Sequence, residues 1–207
     1  MSETAALLTY ERQAQAEGFA LVCGVDEAGA GPFMGPVYAA AVILPEHFDL
    51  PGLNDSKQLT EKKREALFPM IQQQALAWSV ASVSAKEIDD TDILSARIKA
   101  MQLAIDGLSL RPDLALIDGN RDHGRTAAVT TPHRCLVGGD GLSASIAAAS
   151  ILAKVSRDRY VVDVLDKKYP EYQFAKHKGY GTKLHREMFE KYGPCPEHRM
   201  TFLKKWM

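Results

Sequence analysis

Residues 21–44 restrict the fold of this chain more than any other stretch of the sequence. Two apolar runs, LVCGV and VYAAAVIL, flank a turn that contains three glycines and two prolines. Apolar runs bounded by Gly and Pro are typical of strands, and strands without a polar alternation are buried on both faces of a sheet. We therefore predict a hairpin of two strands that lie inside a sheet.

Two adjacent carboxylates, Asp26 and Glu27, follow the first apolar run. An isolated acidic pair is most often a solvated pair at the entrance to a loop. Here the pair ends a strand that is predicted to be buried, and an ionised carboxylate is costly to bury unless a partner neutralises it. A metal ion is the usual partner, so we predict a metal site at this end of the strand.

Two further carboxylates lie just past short apolar strands. Asp118 follows residues 114–117, and Asp140 follows residues 134–137. Ligands of open α/β sheets bind beyond the carboxyl ends of the strands, so we expect these side chains to approach the first pair. Oxygen ligands without a Cys or His cluster favour Mg2+ or Mn2+, and two such ions roughly 3.5–4 Å apart can promote displacement at phosphorus.

Length and charge predict one domain with an uneven distribution of charge. The 207 residues contain no linker, so we expect a single domain with an N-terminal extension at 1–18 and a basic C-terminal part at 170–207. Residues 151–207 hold 13 basic and 7 acidic side chains, whereas residues 1–150 hold 12 basic and 19 acidic side chains. A basic part beside an acidic site suits a polyanionic substrate. A glycosidase would need only two carboxylates and would leave the basic part unexplained.

The three cysteines are odd in number and have no paired spacing. They favour a reducing compartment, and no apolar run is long enough to span a membrane. We therefore predict a cytoplasmic protein without membrane contacts. The absence of a surplus apolar stripe predicts a monomer.

A second basic feature surrounds the turn GYGT at residues 179–182. Basic side chains that flank an aromatic residue favour a nucleic-acid surface, although the start of a solvated basic helix has the same composition. The residues concerned are Lys176, His177, Lys178, Tyr180, Lys183, His185 and Arg186.

Taken together, these motifs resemble bacterial ribonuclease HII. They are GVDEAGAGPFMGPVYAAAVIL, LNDSK, LIDGN, the Asp140 site followed by SIAAASILAKVSRDR, and FAKHKGYGT followed by KYGP and HR. The resemblance runs from about residue 20 to 202. It implies a ribonuclease H-like α/β fold, with a mixed five-stranded sheet flanked by helices and a C-terminal helical part. It also implies an endonuclease that hydrolyses the RNA strand of RNA–DNA hybrids and incises at ribonucleotides embedded in duplex DNA, leaving 5′-phosphate and 3′-hydroxyl ends.

The resemblance also implies roles for individual residues. The family's metal-binding carboxylates correspond to Asp26, Glu27 and Asp118, and its fourth acidic residue corresponds to Asp140. Its glycine turn, which senses the ribose 2′-hydroxyl through backbone groups, and its tyrosine, which packs on the sugar at the RNA–DNA junction, have counterparts here. The substrate-binding residues implied in this way are Gly29, Ala30, Gly31 and Tyr180, with Ser56, Lys57, Lys154 and Arg157 as candidate contacts to the nucleic-acid backbone.

The chain departs from the family pattern at two positions. Ala30 stands where the family has Arg, and Gly138 stands where it usually has Lys, so two cationic contacts near the scissile phosphate are absent. One alternative is therefore a hybrid-binding protein of the same fold with weak catalysis. Four retained carboxylates argue against it, because a pure binder gains nothing from negative charges beside phosphates. Another nuclease, resolvase or transposase activity on this fold is the second alternative. The glycine turn and GYGT argue against it, because both address a ribose.

Overall fold

In the computed structural model, which describes residues 7–119 and 128–206, five strands form one mixed sheet in the order β3-β2-β1-β4-β5. Strands β1, β2 and β3 pair antiparallel, and β4 and β5 run parallel to β1. The predicted central hairpin and the mixed five-stranded sheet are confirmed. The strands are β1 (Val22–Ala28), β2 (Val37–Ile43), β3 (Ala77–Val83), β4 (Leu114–Asp118) and β5 (His133–Leu136).

Helices cover both faces of the sheet and make up most of the C-terminal part. Within the described ranges, no helix is both long and apolar enough to cross a membrane. The α-helices are α1 (Thr9–Ala16), α2 (Glu61–Gln74), α3 (Ala85–Asp90), α4 (Ile93–Asp106), α5 (Ala144–Tyr160), α6 (Asp166–Lys168), α7 (Phe174–His177) and α8 (Lys183–Tyr192). A π-helical turn, Val161–Leu165, joins α5 to α6.

The central strands are buried on both faces, as the unbroken apolar run of β2 predicts. Ala39 and Ala41 pack in one cluster with Met101 of α4. Ala40 packs on the opposite face, in a cluster with Ile151 of α5. Because successive strand side chains point to opposite faces, a strand in this position has to be apolar throughout.

Helix α5 approaches β1 very closely at its first turn. Its N-terminal half is rich in Ala and Ser, and Ser143 caps the helix by accepting a hydrogen bond from the backbone N–H of Ile146. A Cβ atom on Gly24 would lie 2.1 Å from the backbone nitrogen of Ile146, so only glycine fits at this point of β1. The helix therefore starts directly against the strand that carries Asp26.

The C-terminal part packs on the turn between β1 and β2. Met34 lies in a buried cluster with Phe174 and Cys195, and it forms an isolated β-bridge with His198. The backbone N–H of Phe33 donates to the carbonyl oxygen of Gly179 at 2.8 Å. Whether residues 1–18 and 170–207 behave as parts of one cooperative domain stays a prediction.

Replacing Gly24 by Ala is expected to destabilise the protein by about 3 kcal/mol or more, because the added methyl group meets helix backbone rather than a movable side chain. Urea unfolding measures the change. Gly141→Ala is the matched control, since a Cβ there meets nothing within 4 Å. Equal stability of both variants would contradict the close packing of α5 on β1.

Candidate active site

Three carboxylates from separate segments converge at one end of the sheet. Asp26, Asp118 and Asp140 each present an oxygen within 4.8 Å of the others. Asp26 and Asp118 meet because β1 and β4 are parallel neighbours, with Val25 paired to Ile117 one position earlier. Such a group could hold a metal ion, as the positions at strand ends predict.

Backbone and side-chain hydrogen bonds fix these carboxylates. The N–H of Gly139 donates to Oδ1 of Asp118 at 2.7 Å, which ties the segment carrying Asp140 to the end of β4. The Nζ of Lys57 donates to Oδ2 of Asp140 at 2.8 Å. Lys57, predicted as a contact to the nucleic-acid backbone, therefore lies at the acidic site, and its side chain is 73% exposed.

Electrostatic repulsion acts among these groups. Burial, followed by the negative charges of Glu27 and Asp118, raises the pKa of Asp26 well above its usual value. Burial and the charge of Asp140 raise the pKa of Asp118. A divalent cation would relieve this repulsion, and a set of carboxylate oxygens matches the ligand preference of Mg2+ and Mn2+.

Glu27 lies beside this group with one oxygen engaged. Its Oε1 is 2.7 Å from Nη2 of Arg97, whereas Oε2 is buried and has no hydrogen-bond partner among the described residues. Buried polar atoms are nearly always paired, so the free oxygen is a candidate ligand atom. The structure thus fits a metal ion at the three aspartates, and the metal-binding role of Glu27 stays a prediction.

The glycine turn and Tyr180 share one surface next to the carboxylates. A Cβ on Gly31 would lie 4.0 Å from the Tyr180 ring, which is 44% exposed. The Nζ of Lys154 lies 5.9 Å from the centre of that ring and donates to Asp158 at 2.9 Å. The structure therefore brings together the turn, Tyr180 and Lys154, which the sequence predicted as substrate contacts.

Arg157 requires a correction, because the structure buries its side chain completely. Arg157 is fully buried, with Nη2 donating to the carbonyl oxygens of Met34 at 3.4 Å and Lys178 at 3.1 Å. A Cβ on Gly29 would lie 2.2 Å from its Nε, so the guanidinium packs under the turn. Ser56 is 6% exposed, as is Asp140, and its contact to the nucleic-acid backbone stays a prediction. Direct contact of the Arg157 side chain with a phosphate is inconsistent with its burial.

The histidines of the basic C-terminal segment also require a correction. His177 and His185 are buried and stack on each other, with ring centres 4.5 Å apart. Burial lowers the pKa of His177, and it lowers the pKa of His185 and of the neighbouring His198 to about 4. These rings are therefore neutral at pH 7 and add no charge to a nucleic-acid surface.

Hydrogen bonds define which nitrogen of each ring carries the proton. His185 donates from Nδ1 to the carbonyl oxygen of Tyr180 at 3.0 Å, so its Nε2 accepts. His198 accepts from the N–H of Cys195 at Nδ1, so its Nε2 donates to Nε2 of His185 at 3.1 Å. His177 accepts from the N–H of Gly179 at Nδ1 and donates to Tyr172. A proton added to any ring would place two donors face to face.

Sequence reasoning missed three residues that support the site. Arg97 pairs with Glu27, and Arg199 lies under the glycine turn. Glu11 of α1 accepts hydrogen bonds at the start of α5 from the hydroxyls of Ser143 and Ser145 and from the N–H of Ser145. Only Arg199 had a sequence signal, as part of the HR motif.

Comparison with known proteins places this arrangement in one class. A family model described as Ribonuclease HII matches residues 23–206. The ribonuclease HII of Caldicellulosiruptor bescii is 48% identical over 204 residues, which cover 99% of this chain and 97% of the relative. The ribonuclease HII of Neisseria meningitidis serogroup A is 53% identical over 184 residues, covering 88% of this chain and 92% of the relative.

A solved structure shows the same fold. Ribonuclease H2 from Pyrococcus horikoshii OT3 is similar with a TM-score of 0.72 and 28% identity, covering 87% of this chain and 93% of that chain. Fold and site together define a metal-dependent endoribonuclease with the ribonuclease H-like fold. Within that class, the chain belongs to the ribonuclease HII family.

Acidification is expected to destabilise the protein through the buried histidines. Unfolded histidine titrates near pH 6.5, whereas His185 and His198 titrate near 4 when folded, so the folded state binds fewer protons between these values. The free energy of unfolding should therefore fall as the pH drops from 6.5 to 4, by roughly 1.4 kcal/mol per pH unit for each neutral ring.

Urea unfolding between pH 7.5 and 5 measures this dependence. His198→Asn should lower the slope of the unfolding free energy against pH by the equivalent of about one bound proton. His133→Asn is the control, because this ring lies at the start of β5 and is only partly buried. A slope that is the same in the wild type and in His198→Asn would contradict the neutral histidine cluster.

Proposed function

We propose that this chain hydrolyses the RNA strand of RNA–DNA hybrids and incises at ribonucleotides embedded in duplex DNA, giving 5′-phosphate and 3′-hydroxyl ends. One observation carries the proposal. The convergent Asp26, Asp118 and Asp140 lie next to a glycine turn that faces an exposed tyrosine. Cleavage groups and a surface suited to a ribose therefore occur together.

The three aspartates, together with Glu27, would hold Mg2+ or Mn2+. When bound, two such ions supply a water activated for attack and charge stabilisation at the scissile phosphate. Burial, together with repulsion between the carboxylates, raises the pKa of Asp26 and Asp118, and this supports the assignment because uncompensated burial of these charges is unfavourable.

The glycine turn and Tyr180 would recognise the ribose. A ribonucleotide in DNA differs from its neighbours only by the 2′-hydroxyl, so discrimination requires close approach of hydrogen-bonding groups. Gly29 and Gly31 allow this approach, and the exposed face of Tyr180 can pack on the sugar.

Lys57 and Lys154 would contribute affinity through phosphates. The Lys57 side chain is 73% exposed and lies near the carboxylates. The Lys154 side chain is 23% exposed and lies near Tyr180. Phosphate contacts carry no sequence preference and weaken with salt. A cytoplasmic location and a monomeric state stay predictions from the sequence.

A cleavage assay tests the proposal. A DNA duplex with one ribonucleotide, an RNA–DNA hybrid and an all-DNA duplex are incubated with Mg2+, Mn2+ or EDTA. We expect metal-dependent cuts in the first two only, and a loss of at least 100-fold in kcat/KM for Asp26→Asn. Binding without cleavage in either metal would instead favour a hybrid-binding protein, and cleavage of all-DNA would favour another nuclease.

Restoring the missing cation is expected to improve recognition of the junction. Ala30→Arg should raise kcat/KM on the single-ribonucleotide duplex by about tenfold, because one charge-assisted hydrogen bond to phosphate contributes about 1.5–3 kcal/mol. The gain should shrink as salt concentration rises. Ala30→Met supplies similar length without charge and should give no gain. Equal kinetics of both variants would rule out the explanation based on charge.

A further inference from the structure

Arg199 lies under the glycine turn and is fully buried. Its guanidinium donates to four backbone carbonyl oxygens of residues 29–35. The contacts are Nη2 to Gly29 at 2.7 Å, Nη1 to Ala30 at 3.1 Å, Nη1 to Pro32 at 2.8 Å and Nε to Gly35 at 2.9 Å. One side chain thus binds four of the seven backbone carbonyls of this turn.

These carbonyl oxygens take the place of water around the charge of Arg199, whose pKa burial lowers to about 9, so that the side chain is still charged at pH 7. No carboxylate lies within 4.0 Å of its nitrogens in the part of the chain that the structure describes. A buried charge requires hydrogen bonds in place of water. The turn therefore cannot rotate its carbonyls outward without leaving a buried cation unsolvated, and this requirement fixes its shape.

The same arrangement leaves the amide groups of the turn available. Within the described residues, the N–H groups of Gly29, Ala30 and Gly31 donate no hydrogen bond. With four carbonyls of the turn held inward by Arg199, these three amides stay available to a ligand. Arg157 supports the turn from a second side by packing against Gly29.

Arg199 also links the turn to the segment that carries Tyr180. Its backbone N–H donates to the carbonyl of Phe33 at 2.9 Å, and the N–H of Phe33 donates to Gly179 at 2.8 Å. The N–H of Gly35 donates to the carbonyl oxygen of Glu197 at 2.8 Å. The turn and Tyr180 are therefore held at one fixed separation.

We infer that Arg199 is a positioning residue that sets the conformation of the glycine turn, and through it the discrimination between a ribonucleotide and a deoxyribonucleotide. The inference rests on the proposed role of the turn in ribose recognition. Arg199 is buried, so it acts through the backbone without touching the substrate.

Arg199→Lys tests the inference, because a lysine keeps the charge but its single nitrogen cannot reach four carbonyls in one plane. Binding is measured in Asp26→Asn protein, so that the substrate stays intact. Fluorescence anisotropy compares a DNA duplex containing one ribonucleotide with the same duplex made of DNA alone. We expect the ratio of the two Kd values to fall at least fivefold towards one in Arg199→Lys.

Ile105→Ala is the matched control, because Ile105 is a buried residue of α4 that belongs to the core cluster on the sheet. It should lower stability and keep the Kd ratio. An unchanged Kd ratio in Arg199→Lys would overturn the inference. A fall of the Kd ratio in Ile105→Ala as large as that in Arg199→Lys would also overturn it. If the Asp26→Asn protein itself showed no preference for the ribonucleotide, the proposed role of the turn would fail first.

A measurement on the wild-type protein does not depend on whether Arg199→Lys folds. Backbone 15N relaxation reports order parameters for Gly29, Ala30 and Gly31 in the absence of nucleic acid. Values as high as those of β1, about 0.85, are expected for a turn fixed by Arg199. Values below about 0.6 would show a turn that takes its shape only on binding, and would overturn the inference.

Discussion

The site depends on the parallel pairing of β1 with β4. This pairing puts Asp26 and Asp118 side by side at the end of two buried strands, where neither charge is well solvated. The rest of the sheet keeps them there. Helix α5 packs onto β1 at Gly24. The short turn Gly139–Gly141, which precedes this helix, carries Asp140. A rigid framework is required because mutually repelling carboxylates would otherwise move apart into water.

Two different electrostatic interactions shape the groups around that framework. Repulsion among carboxylates creates a place for cations, whereas a buried cation organises the neighbouring turn through neutral carbonyls. The two sites adjoin because Glu27 and Gly29 are separated by a single residue of the same strand end. The residues proposed to act at the phosphate and those proposed to recognise the sugar thereby lie on one continuous piece of backbone.

The sequence predicted the features that depend on local pattern. Apolar runs located β1, β2 and β4, and the carboxylates at strand ends pointed correctly to a convergent site. Burial of cationic residues was not predictable in the same way, because Arg157 and His185 have the same composition signal as surface residues. Arg199 was missed as a support since its carbonyl partners lie 164 to 170 positions away, and no local periodicity encodes such contacts.

The distance in sequence between Arg199 and its turn has a consequence for synthesis on the ribosome. Chains emerge from the N-terminus, so β1, β2 and β4 are available long before residue 199 leaves the exit tunnel. A nascent chain can assemble its acidic cluster while the turn still lacks the guanidinium that organises it. The residues proposed to cleave can thus be brought together before the turn proposed to select ribose is organised.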